Sequence, residues 1–230
     1  MEEIIVDVWG DFACYSRPES KVERMTYPVP TPSAMRGVLS AIYSKPNEFY
    51  WQVTRIEVLH KLSYASFKLN EVKEKLPEKP KEAIQVDLAG GGGKGRTQRQ
   101  TVALKNVRYR VHAKICKRPG FAGTEQQLYA QALRRIRAGQ CFYQPSLGLR
   151  PFAAYFEEGV QPVEPIALDL DLGWMLYDTF DLHRWQVTAK AEPFVTLFHA
   201  QLKNGILEVP DFDSPQVLRP EVNELAAGIV

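Results

Sequence analysis

From Thr101 to Ile115 the sequence reads TVALKNVRYRVHAKI, and its period is two. Successive side chains of a β-strand point to opposite faces. Val107, Tyr109, Val111, Ala113 and Ile115 therefore share one face, and Arg108, Arg110, His112 and Lys114 share the other. The first face belongs in a core. The second is a row of cations that repel one another unless negative charge lies across them. A chain containing this strand has to supply that charge from its own distant carboxylates or take it from a ligand.

The surrounding charge sharpens the question. Between Lys94 and Arg150 there are 13 basic residues and one acid, Glu125, a local net of +12 in a chain whose overall net is +2. Arginine outnumbers lysine in this block, which favours bidentate phosphate contacts and stacking. A polyanion partner is the functional expectation, because clustered Lys and Arg neutralise phosphates and release counterions. The alternative is a set of faces whose acidic partners come from elsewhere in the fold.

Other classes fall away quickly. At 230 residues, 45% hydrophobic and 24% charged, the chain has the material for a substantial core. No run approaches the roughly 18 apolar residues of a membrane span. The opening MEEII carries acids where a secretion signal needs positive charge, so no export signal is expected and a cytoplasmic location is. Cys14, Cys116 and Cys141 are widely spaced and read as reduced small hydrophobes. Gly90 to Gly95 is glycine-rich, but Arg96 follows where a phosphate-binding loop needs Ser or Thr. It reads as a flexible cationic hairpin tip.

Ile4 to Trp9 reads as a strand, and Asp11 to Arg24 as a loop. Thr31 caps a helix that has Pro32 at its first position and Met35, Val38, Leu39 and Ile42 as its apolar stripe. A strand follows at Gln52 to Leu59, and Glu71 to Glu82 is a charged, proline-broken loop. A second helix runs from Thr124 to Arg137 and stops at Gly139. Strands return near Trp174 to Thr179 and in FVTLFHAQLKNGILEVP, where Asn204-Gly205 signals a type I′ hairpin. This order suits an α+β chain: a ferredoxin-like βαββαβ domain over residues 1–150 and a smaller antiparallel β domain over 151–230. The aromatic consensus of single-strand-binding RRM domains is absent.

Two stretches carry a resemblance. VWGDFACYSRPESKVERMTYPVPTPSAMRGVLSAIYSKP resembles the N-terminus of the CRISPR-associated Cas-five family in its type I-C (d) branch. RRIRAGQCFYQPSLGLRPFAAYF resembles that family's second characteristic stretch. The resemblance implies a RAMP-type ferredoxin-like domain with a basic β-hairpin and a smaller C-terminal β domain. It implies binding of the repeat-derived 5′ handle of CRISPR RNA, beside the other subunits of a type I-C surveillance complex. In this branch it also implies cleavage of the precursor transcript. The family's catalytic set is a tyrosine, matched by Tyr43, and a Lys-His pair early in the second helix, where this sequence has Gln127 and Leu128.

Metal-independent RNA cleavage uses the 2′-OH against the adjacent phosphate and needs proton transfer and a cation. No carboxylate cluster lies in the basic block, so no metal and no cofactor is expected. Tyr43, His112 and Lys114 are the catalytic candidates; the last two share the cationic strand face at i and i+2. Tyr43 would orient the 2′-OH or work beside Lys114, or simply pack at the end of the first helix. His112 would act in catalysis or contact phosphate. The RNA-binding candidates are Arg17, Lys21, Arg24, Arg36, Arg96, Arg99, Arg108, Arg110, Arg134 and Arg150. His60, His183 and His199 read as structural. Three roles stay open: a processing endoribonuclease, a non-catalytic subunit that caps the handle, or a ribosomal or chromosome-associated protein using the same basic face.

Overall fold

The computed structural model describes residues 2–20, 22–72, 96–184 and 193–220 (the side chains of 72 and 96 apart). In chain order the elements are β1 (Ile4–Ala13), β2 (Arg24–Met25), α1 (Pro32–Ile42), β3 (Phe49–Val58), β4 (Tyr64–Val72), β5 (Arg96–Lys117) and α2 (Glu125–Arg137), then β6 (Tyr155–Glu158), β7 (Leu170–Asp178), β8 (Thr196–Lys203), β9 (Ile206–Glu208) and β10 (Val217–Leu218). The chain is α+β and mostly antiparallel. Among the described residues no helix is long and apolar enough to cross a membrane.

Both helices begin where their caps predict. The Thr31 hydroxyl accepts from the Ala34 amide at 3.2 Å, and Pro32 needs no donor at the first position. Thr124 and Gln127 exchange a reciprocal capping box, which satisfies two amides that a helix start leaves open. Met35, Val38, Leu39 and Ile42 of α1 are buried, as are Leu128, Ala132 and Ile136 of α2.

The alternation in β5 organises the rest. Its flanks are β1 and β3, both antiparallel, and the main sheet runs β10-β8-β9-β3-β5-β1-β6. Val107, Tyr109, Val111, Ala113 and Ile115 are buried on the side where the helices pack. β4 pairs with the first half of β5, from Tyr64 opposite Leu104 to Val72 opposite Arg96. Several strand boundaries differ from expectation: β3 spans Phe49–Val58, β5 Arg96–Lys117 and β7 Leu170–Asp178. β1 continues to Ala13, and Glu71 and Val72 belong to a strand rather than a loop. Local composition at Glu71 says loop; long-range pairing with β5 overrides it. Lys21, the Gly90–Gly95 tip and the rest of the 73–82 loop lie outside the described residues.

The other face of β5 shows where its negative charge comes from. Asp7, opposite Arg110 in the β1–β5 register, is 1% exposed. Its Oδ1 accepts from Arg110 Nε at 2.8 Å, and its Oδ2 accepts from Nη2 of Arg110 and of Arg108, both at 3.1 Å. Arg108 also reaches Glu157 at 2.6 Å. His112 lies 2.9 Å from Glu57, and Lys114 lies 3.7 Å from Glu3. The segment after β6 then crosses this ladder as a strap. The Gly159 amide donates to Ile5, the Gln161 carbonyl accepts from Arg110 at 2.6 Å, and the Ile166 amide donates to Val58. The far end of the strap meets the β8–β9 hairpin, whose Asn204 and Gly205 both have positive φ, 47° and 74°. A side chain at Gly205 would collide with the Ile166 carbonyl, so the turn needs glycine both for its conformation and for this approach. At the other end Gln52 donates to the Tyr177 hydroxyl at 2.7 Å, fastening β7 over the sheet.

Removing one partner of a buried ion pair strands the other. Asp7→Asn should therefore lower unfolding stability by about 3 kcal/mol or more. Urea denaturation checks this, and a change under about 1 kcal/mol would mean the ladder is not what holds this face.

Candidate nucleic-acid interface

Tyr43 ends α1. Its amide donates to Leu39, its carbonyl accepts from Trp51 Nε1 at 2.8 Å, and its ring stacks on Phe49 at 5.2 Å. Trp51 lies opposite Ile115, so Tyr43 sits on the helix side of the sheet. His112 and Lys114 point from the opposite side. The sheet thus separates Tyr43 from both, and the three do not form one catalytic site. The reason was legible: a helix packs on a strand's apolar face, so its last residue cannot reach the cationic one.

The strand arginines have partners within the chain. Arg110 is 8% exposed and spends its fork on Asp7 and the strap; Arg108 is shared between Asp7 and Glu157. The charge that the cation row requires is internal. Arg24 grips Glu71 with two bonds of 3.1 Å, and Arg99 lies 3.0 Å from the same carboxylate. Arg36 makes a bidentate pair with buried Asp178 at 2.6 and 2.9 Å, tying α1 to β7. Arg17 lies over the Tyr27 ring, 4.8 Å from its centroid, with Glu19 at 3.4 Å. Arg134 and Arg150 are exposed, whereas Lys21 and the Arg96 side chain lie outside the described residues.

The cationic surface that remains is on the helix side and at the sheet ends: Lys105, Lys117, Arg134 and Arg150 are exposed. Arg150 sits on a turn whose Gly148 packs against the Cys14 carbonyl at φ 86°, where any side chain would overlap that carbonyl. Beside the end of α1 stand Phe142 and Tyr143, 58% and 62% exposed, with Arg135 lying over the Phe142 ring at 4.2 Å. Arg135 and Phe142 were not singled out in the sequence. The available signal was a pair of aromatics directly after a helix stop inside the basic block.

The Tyr43 phenol is raised above its ordinary value, chiefly by burial; Lys45 and Arg135 oppose the rise and Glu48 adds to it. At neutral pH it is a donor, not a base. His60 meets the Asn106 carbonyl at 3.0 Å, His183 meets Asp213 at 2.9 Å, and His199 packs edge-on against Trp174. Each has a local structural partner. No group of three or more His, Cys, Asp or Glu able to hold a metal occurs among the described residues.

Comparison with known proteins gives a consistent picture. A family model described as CRISPR-associated protein (Cas_Cas5) matches residues 3–215. A Thermus thermophilus protein named CRISPR pre-crRNA endoribonuclease Cas5d is 41% identical over 223 residues, covering 91% of this chain and 92% of its own. A Mannheimia succiniciproducens protein of the same name is 36% identical over 231 residues, covering 94% and 98%. A crystal structure titled as a CRISPR-associated protein superposes with a TM-score of 0.66 at 19% identity, covering 94% of this chain and 96% of that one. The Streptococcus mutans protein SMU1763c gives 0.64 at 17%, covering 94% and 97%. At these identities the two structures share the fold.

Salt dependence separates structural from ligand-facing arginines. Replacing Arg134 and Arg150 together by Ala should flatten the log–log salt slope of RNA binding by about one to two units. Arg110→Ala should leave that slope unchanged and lower the urea midpoint instead. The reverse pattern in fluorescence-anisotropy titrations would restore the strand face as the phosphate contact.

Proposed function

The chain belongs to the CRISPR-associated Cas5 family, in its Cas5d branch, and on that premise we propose that it is a precursor-CRISPR-RNA endoribonuclease that keeps the repeat-derived 5′ handle bound. The observation that carries this is the match, over nine-tenths of both chains, to two relatives that bear the endoribonuclease name. The handle-bound role places the protein beside the other subunits of a type I-C surveillance complex, and in the cytoplasm where transcripts are made.

The finer fold reading goes with this. The order β3-β5-β1-β6 with both helices on one side supports a ferredoxin-like platform, and β4 with β5 supports a basic hairpin rising from it. Because β6 pairs with β1, the division between platform and C-terminal β unit is better placed after Glu158 than at 150/151.

Cleavage would proceed by attack of the 2′-oxygen on phosphorus with loss of the 5′-oxygen, giving a 2′,3′-cyclic phosphate and a 5′-OH. Tyr43 is the candidate carried forward; it is 2% exposed, so its hydroxyl has to be uncovered when RNA binds. As a protonated phenol it would donate to the reacting group rather than abstract its proton. His112 and Lys114 belong to the closed face and are not assigned to this step.

A second reading, a subunit that only caps the handle, is favoured by one observation. Gln127 is committed to the α2 capping box, and Leu128 is 3% exposed in the core, so neither substitutes for the family's Lys-His pair. Incubating the protein with end-labelled repeat RNA in EDTA decides between the two. Cyclic-phosphate and 5′-OH ends are expected; intact RNA would establish the capping role. If cleavage occurs, Tyr43→Phe should slow it by about a hundredfold to ten-thousandfold with little loss of affinity. Because burial raises the phenol, the wild-type rate should show no Tyr43-dependent rise with pH below about 10. A rise that Tyr43→Phe abolishes would make Tyr43 the base.

A further inference from the structure

We propose that Arg135 and Phe142 form one nucleotide subsite beside Tyr43, the guanidinium taking a backbone phosphate of the RNA and the ring taking the adjacent base. The nature of the ligand rests on the endoribonuclease reading above; the subsite itself rests on geometry.

Two consecutive residues at the end of α1 hold this pair. The Ala41 carbonyl accepts from the Phe142 amide at 2.7 Å, the Ile42 carbonyl accepts from Arg135 Nε at 2.7 Å, and Tyr43 follows. The carbonyls of a helix's last turn have no partner within the helix, and a cation is favoured there. The Phe142 ring then supports the guanidinium plane at 4.2 Å. Arg135 is thus positioned before any ligand arrives, with much of its side-chain entropy already lost.

What it presents is an unused fork. One of its five N–H donors goes to Ile42, and among the described residues no carboxylate accepts from the other four. Arg24, Arg36, Arg108, Arg110 and Arg137 differ, since each ends on an Asp or Glu. An oriented guanidinium with free N–H groups fits phosphate oxygens bidentately. Phe142 remains 58% exposed although Arg135 lies over it, so the ring has surface left for a base. Base–aromatic stacking tolerates any sequence. The bond from Arg135 to the Ile42 carbonyl sets the guanidinium one residue from Tyr43 along the chain, so a phosphate held there lies on the Tyr43 side of the helix end.

The test uses repeat RNA carrying 2-aminopurine at single positions, with urea midpoints confirming that each variant folds. Phe142→Leu should weaken binding by about fivefold to 150-fold, and should relieve aminopurine quenching at one position. Arg135→Ala should lower the salt slope by about one unit. Arg135→Lys should keep the slope yet weaken binding, because charge remains and the fork is lost. Should Arg135→Ala fail to fold, Arg135→Lys and Phe142→Leu carry the test. Wild-type affinity in both of these variants, or a fall in affinity with no responding aminopurine position, overturns the subsite. If the wild type binds through these residues but never cuts in EDTA, the subsite stands and the nuclease reading falls. If the wild type cuts and both variants bind and cut as it does, the subsite falls alone.

Discussion

The open side of the sheet depends on Asp7. Its carboxylate is almost fully buried between two arginines of β5, where an unpaired charge would cost several kcal/mol. It also fixes register. A one-residue slip of β1 against β5 would turn Asp7 into the apolar side and Val6 and Val8 out of it. The same arginine that holds Asp7 anchors the strap through Gln161, so the strand pairing and the cover over it are one construction. A sheet face closed in this way is not a platform for single-stranded RNA. The exposed, unpaired arginines of the basic block, Arg134 and Arg150, lie away from this face.

Much of this was legible locally. The period of β5, the caps at Thr31 and Thr124 and the Asn204-Gly205 turn all act within a few residues, and each element formed where those signals put it. The family resemblance held over nearly the whole chain. What the sequence did not reveal is long-range. The acids that neutralise the basic block stand at positions 3, 7, 57, 71, 157 and 158, four of them earlier in the chain than the block and two after it. A window of residues counts charge; it cannot count pairs. The same limit hid Arg135, whose significance lies in its contacts with Ile42 and Phe142 rather than in its place on a helix that already had reason to end in cations.

Pairing changes what the charge asymmetry means. Arg99, Arg108, Arg110 and Arg137 are matched with carboxylates, and Arg118 gives its donors to the Pro46 and His183 carbonyls. Within the basic block, the described cations that keep capacity for phosphate are fewer and better placed: Lys105, Lys117, Arg134, Arg135 and Arg150. A handful of contacts suits a short, defined segment of RNA more than a long tract, since affinity from phosphate neutralisation grows with each contact made. The handle-binding role asks for such a segment.

The residues around Tyr43 also limit the chemistry. A phenol kept protonated by burial and an arginine that never loses its proton can orient a phosphate and stabilise its added charge, but neither removes the 2′ proton. One proton-transfer group is worth about a hundredfold to ten-thousandfold in rate, so a site that used these two groups alone would be a slow one. For the proposed role that is no handicap. A protein that retains the cut RNA as its bound handle cuts once per molecule, and affinity for the product, which slows turnover in an ordinary enzyme, is here the purpose. In that role the grip on the RNA matters more than the rate at Tyr43. A chain with a helix-capping Gln127, a core Leu128 and an exposed Phe142 under Arg135 fits that balance.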